Sequence, residues 1–304
     1  MSLTGKAVIG RYADHQPLFD FSANTKSITA GGNMYFKNIA FKFNTNGVTS
    51  GSFTGDSTYA FEDCTITTTT NHPIFFDDNA TFDMANIYMK NCVCIMAGAT
   101  NSSGVFSYQN TKKTSATRHA ENFVFQNNVL CYTGEVGTTT AKLFNFYLKI
   151  ADETDYLSVP SLKITLTNNT IYGYRTHIID AKNPDRLNLE YNACEGDVTT
   201  GANALLFQCR GIGTVSSSTS TSSYNYGVNT EETGTKAWGD VSSTYTTFFT
   251  RSGNNLSNKT FSGAKHIYGD NTPDAATGYI PIDPTVVTNG AGATYSTKLW
   301  RTWE

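Results

Sequence analysis

A six-residue pattern recurs six times along the chain and constrains the fold more than any other feature of the sequence. Each copy begins and ends with an apolar residue, and its third residue is Asn or Asp in all copies but the last. The residue two positions before each copy is also apolar. This alternation is typical of a strand with one buried face. The copies are FKNIAF from Phe36, FEDCTI from Phe61, MKNCVC from Met89, FQNNVL from Phe125, LTNNTI from Leu166 and LEYNAC from Leu189.

A second, four-residue pattern lies between the copies of the first. Its copies follow one another at intervals of 26 to 38 residues. Two patterns that alternate in fixed order predict stacked coils, each in contact with its neighbours alone. We therefore expect an all-β chain folded as a single-stranded right-handed parallel β-helix; an antiparallel sandwich, the alternative, does not predict this alternation. The copies are LFDF from Leu18, VTSG from Val48, IFFD from Ile74, VFSY from Val105, LFNF from Leu143, IIDA from Ile178 and LLFQ from Leu205.

Stacked parallel strands, about 4.8 Å apart, would bring like side chains into columns. The second pattern predicts an aromatic column of Phe19, Phe75, Phe106 and Phe144. The third residues of the six-residue pattern predict a polar ladder at the bend after the strand. Asn tolerates left-handed backbone geometry there, and its amide can bond to the next coil. The ladder residues are Asn38, Asp63, Asn91, Asn127 and Asn168.

Charge and hydropathy exclude two classes of partner. Charged residues make up 15% of the chain and the net charge is −3, with no run of Lys or Arg. Nucleic acid is therefore a poor partner, because binding to its backbone requires concentrated positive charge. No apolar stretch approaches the roughly 18 residues of a membrane span, so we expect no membrane insertion.

The six cysteines invite a disulfide interpretation, but their spacing fits neither a compact disulfide scaffold nor paired zinc ligands. We favour buried free thiols, since cysteine often serves as a small apolar core residue. The cysteines are Cys64, Cys92, Cys94, Cys131, Cys194 and Cys209.

The pattern changes in the C-terminal third. We expect residues 1–213 to form the coils and residues 214–304 to form an irregular cap that packs on them. Thr214–Ser223 is almost entirely Ser and Thr, which predicts a solvated loop or linker. Aromatic residues after it suggest a cap or lateral brace, because the open edge of a stack of coils recruits other chains unless it is covered.

The N-terminal copies FKNIAF, FEDCTI and MKNCVC and the ending GYIPIDPTVVTNGAGATYSTKLW, from Gly278 to Trp300, resemble the pectin lyase-like β-helix superfamily. The similarity is closer to extracellular β-helix proteins of gut Bacteroidetes. The resemblance implies a secreted or cell-surface protein that deals with plant or host polysaccharide, of which this chain would be the mature domain. Many members of the superfamily are lyases or hydrolases, and others have no demonstrated activity.

One charged neighbourhood provides candidate catalytic residues. Arg can pair with a sugar carboxylate through two hydrogen bonds, and His or Lys can act as a base. The alternative is a solvated charged loop beside IIDA. The candidates are Arg175, His177, Asp180, Lys182 and Arg186.

Other residues are candidates for binding sugar or metal. Tyr172 and Tyr174 could stack on sugar rings, or else fill a column, and Arg118 with His119 form a second charged candidate. Asp77 and Asp78 are the best local acidic pair for Ca²⁺, the one cofactor that the sequence suggests, although such a pair also suits an ordinary turn.

Three functions remain open on the sequence. The first is an extracellular carbohydrate-interacting β-helix protein that binds an acidic or plant-type polysaccharide along a shallow flank. The second is a polysaccharide lyase or glycoside hydrolase that acts on an acidic polysaccharide. The third is a structural or adhesive surface spacer, which predicts a trimer or filament, whereas we expect a monomer.

Overall fold

The structure is a computed structural model that describes residues 5–11, 15–23, 27–30, 32–45, 47–50, 55–69, 74–77, 82–96, 106–110, 121–132, 142–148, 159–174, 177–182, 184–196, 207–210, 221–223, 226–229, 250–251 and 290–294. All regular elements in these ranges are strands. The ranges contain no helix long and apolar enough to cross a membrane.

Twenty-four strands follow one another along the described chain. The first twelve are β1 (Lys6–Ile9), β2 (Leu18–Asp20), β3 (Ile28–Ala30), β4 (Met34–Lys37), β5 (Ala40–Phe43), β6 (Val48–Ser50), β7 (Gly55–Glu62), β8 (Thr65–Thr68), β9 (Phe75–Asp77), β10 (Phe82–Lys90), β11 (Val93–Met96) and β12 (Phe106–Asn110). The others are β13 (Asn122–Gln126), β14 (Val129–Tyr132), β15 (Lys142–Leu148), β16 (Val159–Thr167), β17 (Thr170–Tyr174), β18 (His177–Lys182), β19 (Pro184–Glu190), β20 (Ala193–Gly196), β21 (Phe207–Arg210), β22 (Thr221–Ser223), β23 (Tyr226–Asn229) and β24 (Thr250–Arg251).

The strands form three parallel sheets that the chain visits in rotation. Sheet I has the order β1-β4-β7-β10-β13-β16-β19-β22-β24, sheet II the order β2-β5-β8-β11-β14-β17-β20-β23, and sheet III the order β3-β6-β9-β12-β15-β18-β21. From β1 to β21, three consecutive strands, one from each sheet, are here called a coil, and each further coil adds one strand to each sheet; β22 and β24 then extend sheet I and β23 extends sheet II. The protein is therefore all-β with stacked parallel strands, an arrangement compatible with a parallel β-helix.

The six-residue pattern places the core columns of sheet I. The residues two before each copy share one register from Met34 through Tyr59 and Ile87 to Phe123 and onward. The first residues of the copies share the next register on the same face, and those from Phe36 to Leu189 are buried. Period-two alternation therefore predicted the buried face of this sheet correctly.

The second pattern forms the aromatic column only in part. Phe75, Phe106 and Phe144 share one register on neighbouring strands of sheet III, as predicted. Phe19 does not join them, because it lies in sheet II and stacks on Phe41 with ring centroids 5.7 Å apart. LFDF is thus wrong as a copy of this pattern. Two other copies are displaced by one residue. The copy predicted from Val48 begins at Gly47, because Val48 is in register with Phe75. The last begins at Leu206, because Phe207 is in register with Ile179.

The predicted polar ladder lies at the turn between sheets I and II. Its five residues all have positive φ, between 52° and 57°. Asn91 donates its amide to Asp63 Oδ1 at 3.1 Å, and Asn127 donates to Asn91 Oδ1 at 2.7 Å. Tyr191 has φ 54° at the same position of the last copy, a conformation that a bulky residue rarely adopts. The tight turn therefore continues where its preferred residue is missing.

A second ladder of asparagines lies inside the protein, one residue after the first, and was not predicted. Asn169 Oδ1 accepts hydrogen bonds from the backbone N and Nδ2 of Asn128, both at 3.0 Å. Asn192 Oδ1 accepts the equivalent pair from Asn169, also at 3.0 Å. Each Nδ2 also reaches a backbone carbonyl, as in the 2.8 Å bond from Asn169 to Phe125 O. These buried amides satisfy backbone groups that the turn leaves unpaired.

Residues 290–294, here named the strap, pack across the outer face of sheet II. Gly292 N donates to Tyr191 O at 2.7 Å, Ala293 N to Thr170 Oγ1 at 2.9 Å, and Thr294 N to Asn127 Oδ1 at 2.7 Å. Asn127 and Asn168 return hydrogen bonds to Thr294 O and Gly290 O, both at 3.1 Å. These contacts tie residues 290–294 to sheet II; that the C-terminal tail as a whole serves as a cap or lateral brace stays a prediction.

The strap covers apolar side chains that would otherwise face outward. Val93, Val129 and Cys131 are buried with Ala293 in a cluster separate from the main core. Ile95 packs at its margin. Sheet II is therefore buried on both faces where the strap crosses it.

The expected loop over Thr214–Ser223 contains a strand. Thr221–Ser223 forms β22, which pairs in parallel with β19 and continues sheet I, and β23 extends sheet II. The stack thus continues beyond residue 213. That the rest of residues 214–304 forms a cap stays a prediction.

Candidate functional site

The charged neighbourhood predicted from the sequence is divided between two sheets. His177, Asp180 and Lys182 lie on β18 of sheet III, whereas Arg186 lies on β19 of sheet I. Arg175 falls outside the described residues. Spacing along the chain suggested one cluster, but the chain changes sheet within that span.

The backbone register gives β18 polar neighbours within sheet III. Asp180 is in register with Asn145 and Gln208. Lys182 is in register with Arg210 on the following strand. The topology therefore brings polar residues of three neighbouring strands to one sheet, and a catalytic role for them stays a prediction.

Of the other predicted charged residues, the structure describes only Asp77. Asp77 is the last residue of β9, while Asp78, Arg118 and His119 lie outside the described residues. In the part of the chain that the structure describes, no three His, Cys, Asp or Glu residues are grouped so that they could hold a metal ion. A Ca²⁺ site at Asp77 and Asp78 stays a prediction.

The two predicted sugar-stacking tyrosines both lie on β17 of sheet II. Tyr172 packs against the cluster of Val93, Val129 and Cys131 that the strap covers. The residue is only partly buried, and its buried part packs against this cluster. Tyr174 is in register with Gly196. A role for either residue in sugar binding stays a prediction.

The outer face of sheet I carries three columns of mainly polar residues, and in the middle column Tyr88 lies between Ala60 and Val124. Tyr88 is 38% exposed, which makes it the most exposed large hydrophobic residue of that column. Asn86 and Asn122 are neighbours in the first column, joined by a hydrogen bond of 2.8 Å from Asn122 Nδ2 to Asn86 Oδ1. The columns run Thr58, Asn86, Asn122, Lys163, Arg186; Tyr35, Ala60, Tyr88, Val124, Thr165, Asn188; and Lys37, Glu62, Lys90, Gln126, Thr167, Glu190.

An ion-pair network anchors the N-terminal end of this face. Lys37 Nζ and Tyr35 Oη donate to the two carboxylate oxygens of Glu62, at 2.8 and 2.7 Å. The hydrogen bond from Lys37, reinforced by that from Tyr35, lowers the pKa of Glu62. Partial burial, together with the bond to Glu62, raises the pKa of Tyr35 to about 12. Glu62 is therefore ionised and serves as a structural hydrogen-bond acceptor.

Of the residues on this face, only Arg186 was predicted from the sequence as a site residue, although the signal for the others was present. In each six-residue copy, the apolar positions predicted the buried face correctly, so the residues between them must lie on the opposite face. Tyr88 and Lys90 occupy such positions around Met89.

The cysteines are buried free thiols, as predicted, at the five positions whose side chains the structure describes. These are Cys64, Cys92, Cys94, Cys131 and Cys194. Cys92 Sγ accepts a hydrogen bond from Cys64 N at 3.4 Å, the position that asparagine oxygen takes in the later coils. Burial raises the pKa of the Cys92, Cys94 and Cys194 thiols well above the ordinary value.

These thiols should resist modification in the folded protein. Thiolate is the reactive form of cysteine, and burial blocks access of the reagent to all five side chains. We expect the five thiols to react with a chromogenic disulfide reagent only after denaturation. Peptide mapping by mass spectrometry would identify each labelled cysteine, and rapid native labelling of Cys92 or Cys94 would contradict this expectation.

No protein-family model, no curated protein and no solved structure matches this chain.

Proposed function

We propose that this chain is an exported, monomeric β-helix protein of the pectin lyase-like kind that binds a polysaccharide along the outer face of sheet I. Two features support the fold: the three sheets visited in rotation and the ladder of left-handed turn residues. The family resemblance of the repeats supports a polysaccharide ligand from plant or host.

The observation that carries the proposal is the exposed Tyr88 ring among amides and cations on a regular face. A sugar ring presents an apolar face that stacks on an aromatic side chain and hydroxyls that need donors and acceptors. Asn86 lies on the same strand and face as Tyr88, and Asn122 lies one strand away. Amides can both donate and accept, which suits hydroxyl groups.

The regular spacing of the face suits a polymer better than a single sugar. Neighbouring strands are about 4.8 Å apart, and residues two apart along a strand are separated by about 6.6 Å. Each coil therefore repeats its polar positions at a step comparable to the length of one sugar residue. A chain that lies across the strands could meet equivalent groups on successive coils.

Replacing Tyr88 with alanine should weaken polysaccharide binding roughly two- to twelvefold, since ring stacking contributes about 0.5–1.5 kcal/mol beyond area burial. Retardation in native gels that contain plant and host polysaccharides would measure this. Leu18→Ala is the matched control, because Leu18 is also exposed but lies on sheet II. Equal retardation of wild type and Tyr88→Ala by every polymer would refute the role of this face.

A lyase or hydrolase activity is the second proposal, supported by the register of Asp180 and Lys182 with polar residues of neighbouring coils. Lyase action leaves an unsaturated product that absorbs ultraviolet light. If ultraviolet absorbance does not rise with any uronate polymer of a panel, with or without Ca²⁺, lyase activity is ruled out. Assay of new reducing ends would test the hydrolase.

A further inference from the structure

Two cations lie side by side on the outer face of sheet I. Lys163 on β16 and Arg186 on β19 are direct register partners in the first column. Asn122 precedes them in the same column, in register with Lys163. Neighbouring strands hold such positions about 4.8 Å apart.

The pair has no carboxylate partner among the side chains that the structure describes. The described ion pairs join Lys37 to Glu62 and Asp63, at the other end of the sheet. Glu190 follows Arg186 by four residues on β19, which places its Cα roughly 13 Å away. Glu121 is nearer, since its backbone oxygen accepts from Lys163 N at 2.7 Å, but no described ion pair joins its carboxylate to either cation. Like charges on directly opposed residues destabilise a sheet. The arrangement therefore carries a cost that no described ion pair offsets.

Arg186 also has an unsatisfied donor. Its Nε is buried and has no hydrogen-bond partner. A buried donor without a partner costs free energy. Because Nε itself is closed to solvent, a ligand would reach the guanidinium through its terminal nitrogens. Arg186 as a whole is only partly buried, and those nitrogens can bind an oxyanion through two parallel hydrogen bonds.

We propose that Lys163 and Arg186 form a binding site for an oxyanion, either a carboxylate or a sulfate group, carried by the polysaccharide. This inference rests on the proposed function and narrows its ligand to an anionic polymer. The anion neutralises both cations and accepts hydrogen bonds from Arg186. Asn122 lies one strand away from Lys163, where its amide can bind a neighbouring hydroxyl of the polymer.

Matched polymers test the site and separate the two sources of the oxyanion. Dextran sulfate is compared with dextran, and polygalacturonate with its methyl ester, by titration calorimetry at low salt. We expect wild type to bind at least one charged member of these pairs more tightly than its neutral counterpart. Lys163→Gln/Arg186→Gln should weaken that binding at least tenfold and leave thermal unfolding unchanged or raised.

Two variants distinguish a site from general electrostatic attraction. Lys6→Gln/Lys42→Gln removes the same charge from positions on β1 and β5, and we expect it to change affinity less than twofold. Arg186→Lys keeps the charge but loses the planar donors, so we expect a partial loss of affinity. Equal losses in the two double variants, or no loss at Lys163 and Arg186, would overturn the proposal.

Failure of this inference can be told apart from failure of the proposed function. If wild type binds the neutral polymers as tightly as the charged ones, the oxyanion site is wrong but polysaccharide binding stands. If wild type binds no polysaccharide in the gels or in the calorimeter, both proposals fall.

Discussion

Replacing Asn169 with alanine is expected to lower the free energy of unfolding by about 4 kcal/mol, since each buried polar group left without a partner costs about 1–3 kcal/mol. The side chain accepts two hydrogen bonds from Asn128 and donates one each to Phe125 O and Asn192 Oδ1. Asn128, Asn169 and Asn192 are all fully buried, so water cannot replace the lost bonds. Chemical denaturation would measure the change.

Asn122→Ala is the matched control for this prediction. Asn122 makes the same kind of amide contact, to Asn86, but on the partly exposed outer face. Its loss should cost less than about 1 kcal/mol, because water can take the place of the missing partner. Similar losses in the two variants would mean that the interior ladder has no special contribution to stability.

Replacing Ala293 with glutamate is expected to detach the strap and lower the free energy of unfolding by about 3 kcal/mol, since burial of an unpaired carboxylate costs more than release of the segment. Ala293 is 2% exposed and packs with Val93, Val129 and Cys131. Release breaks the five hydrogen bonds of the strap and uncovers those apolar side chains.

Hydrogen exchange would locate this effect as well as measure it. The amides of Gly292, Ala293 and Thr294 are donors in the strap contacts and should lose protection in Ala293→Glu. Ala7→Glu, at an exposed position on β1, introduces the same residue and should leave both stability and exchange unchanged. Retained protection of the strap amides in Ala293→Glu would show that the cluster tolerates the charge.

The candidate site was less predictable than the fold. Lys182 and Arg186 are only four residues apart in sequence, yet they lie in different sheets. Lys163 and Arg186 are far apart in sequence, yet they are register partners. The length of the segment between strands decides which residues meet, and that length varies from coil to coil. Residue types near one another in the chain therefore could not identify the neighbours.

The sequence by itself determined the features that depend on a residue and its immediate neighbours. Asn38 and its equivalents predicted the left-handed turn, because asparagine tolerates that backbone locally. Period-two alternation around Phe36 and Phe61 predicted the buried face of sheet I, because the direction of successive side chains is a property of the strand itself.

The tertiary structure alone decided the features that depend on long-range packing. Phe19 is a suitable residue for the aromatic column, but strand pairing placed it in sheet II. Asn128 and Asn169 form an interior ladder only because neighbouring coils align their turns within hydrogen-bonding distance. Ala293 is buried because a distant segment returns to sheet II, and a small residue carries no local signal of the surface that it will cover.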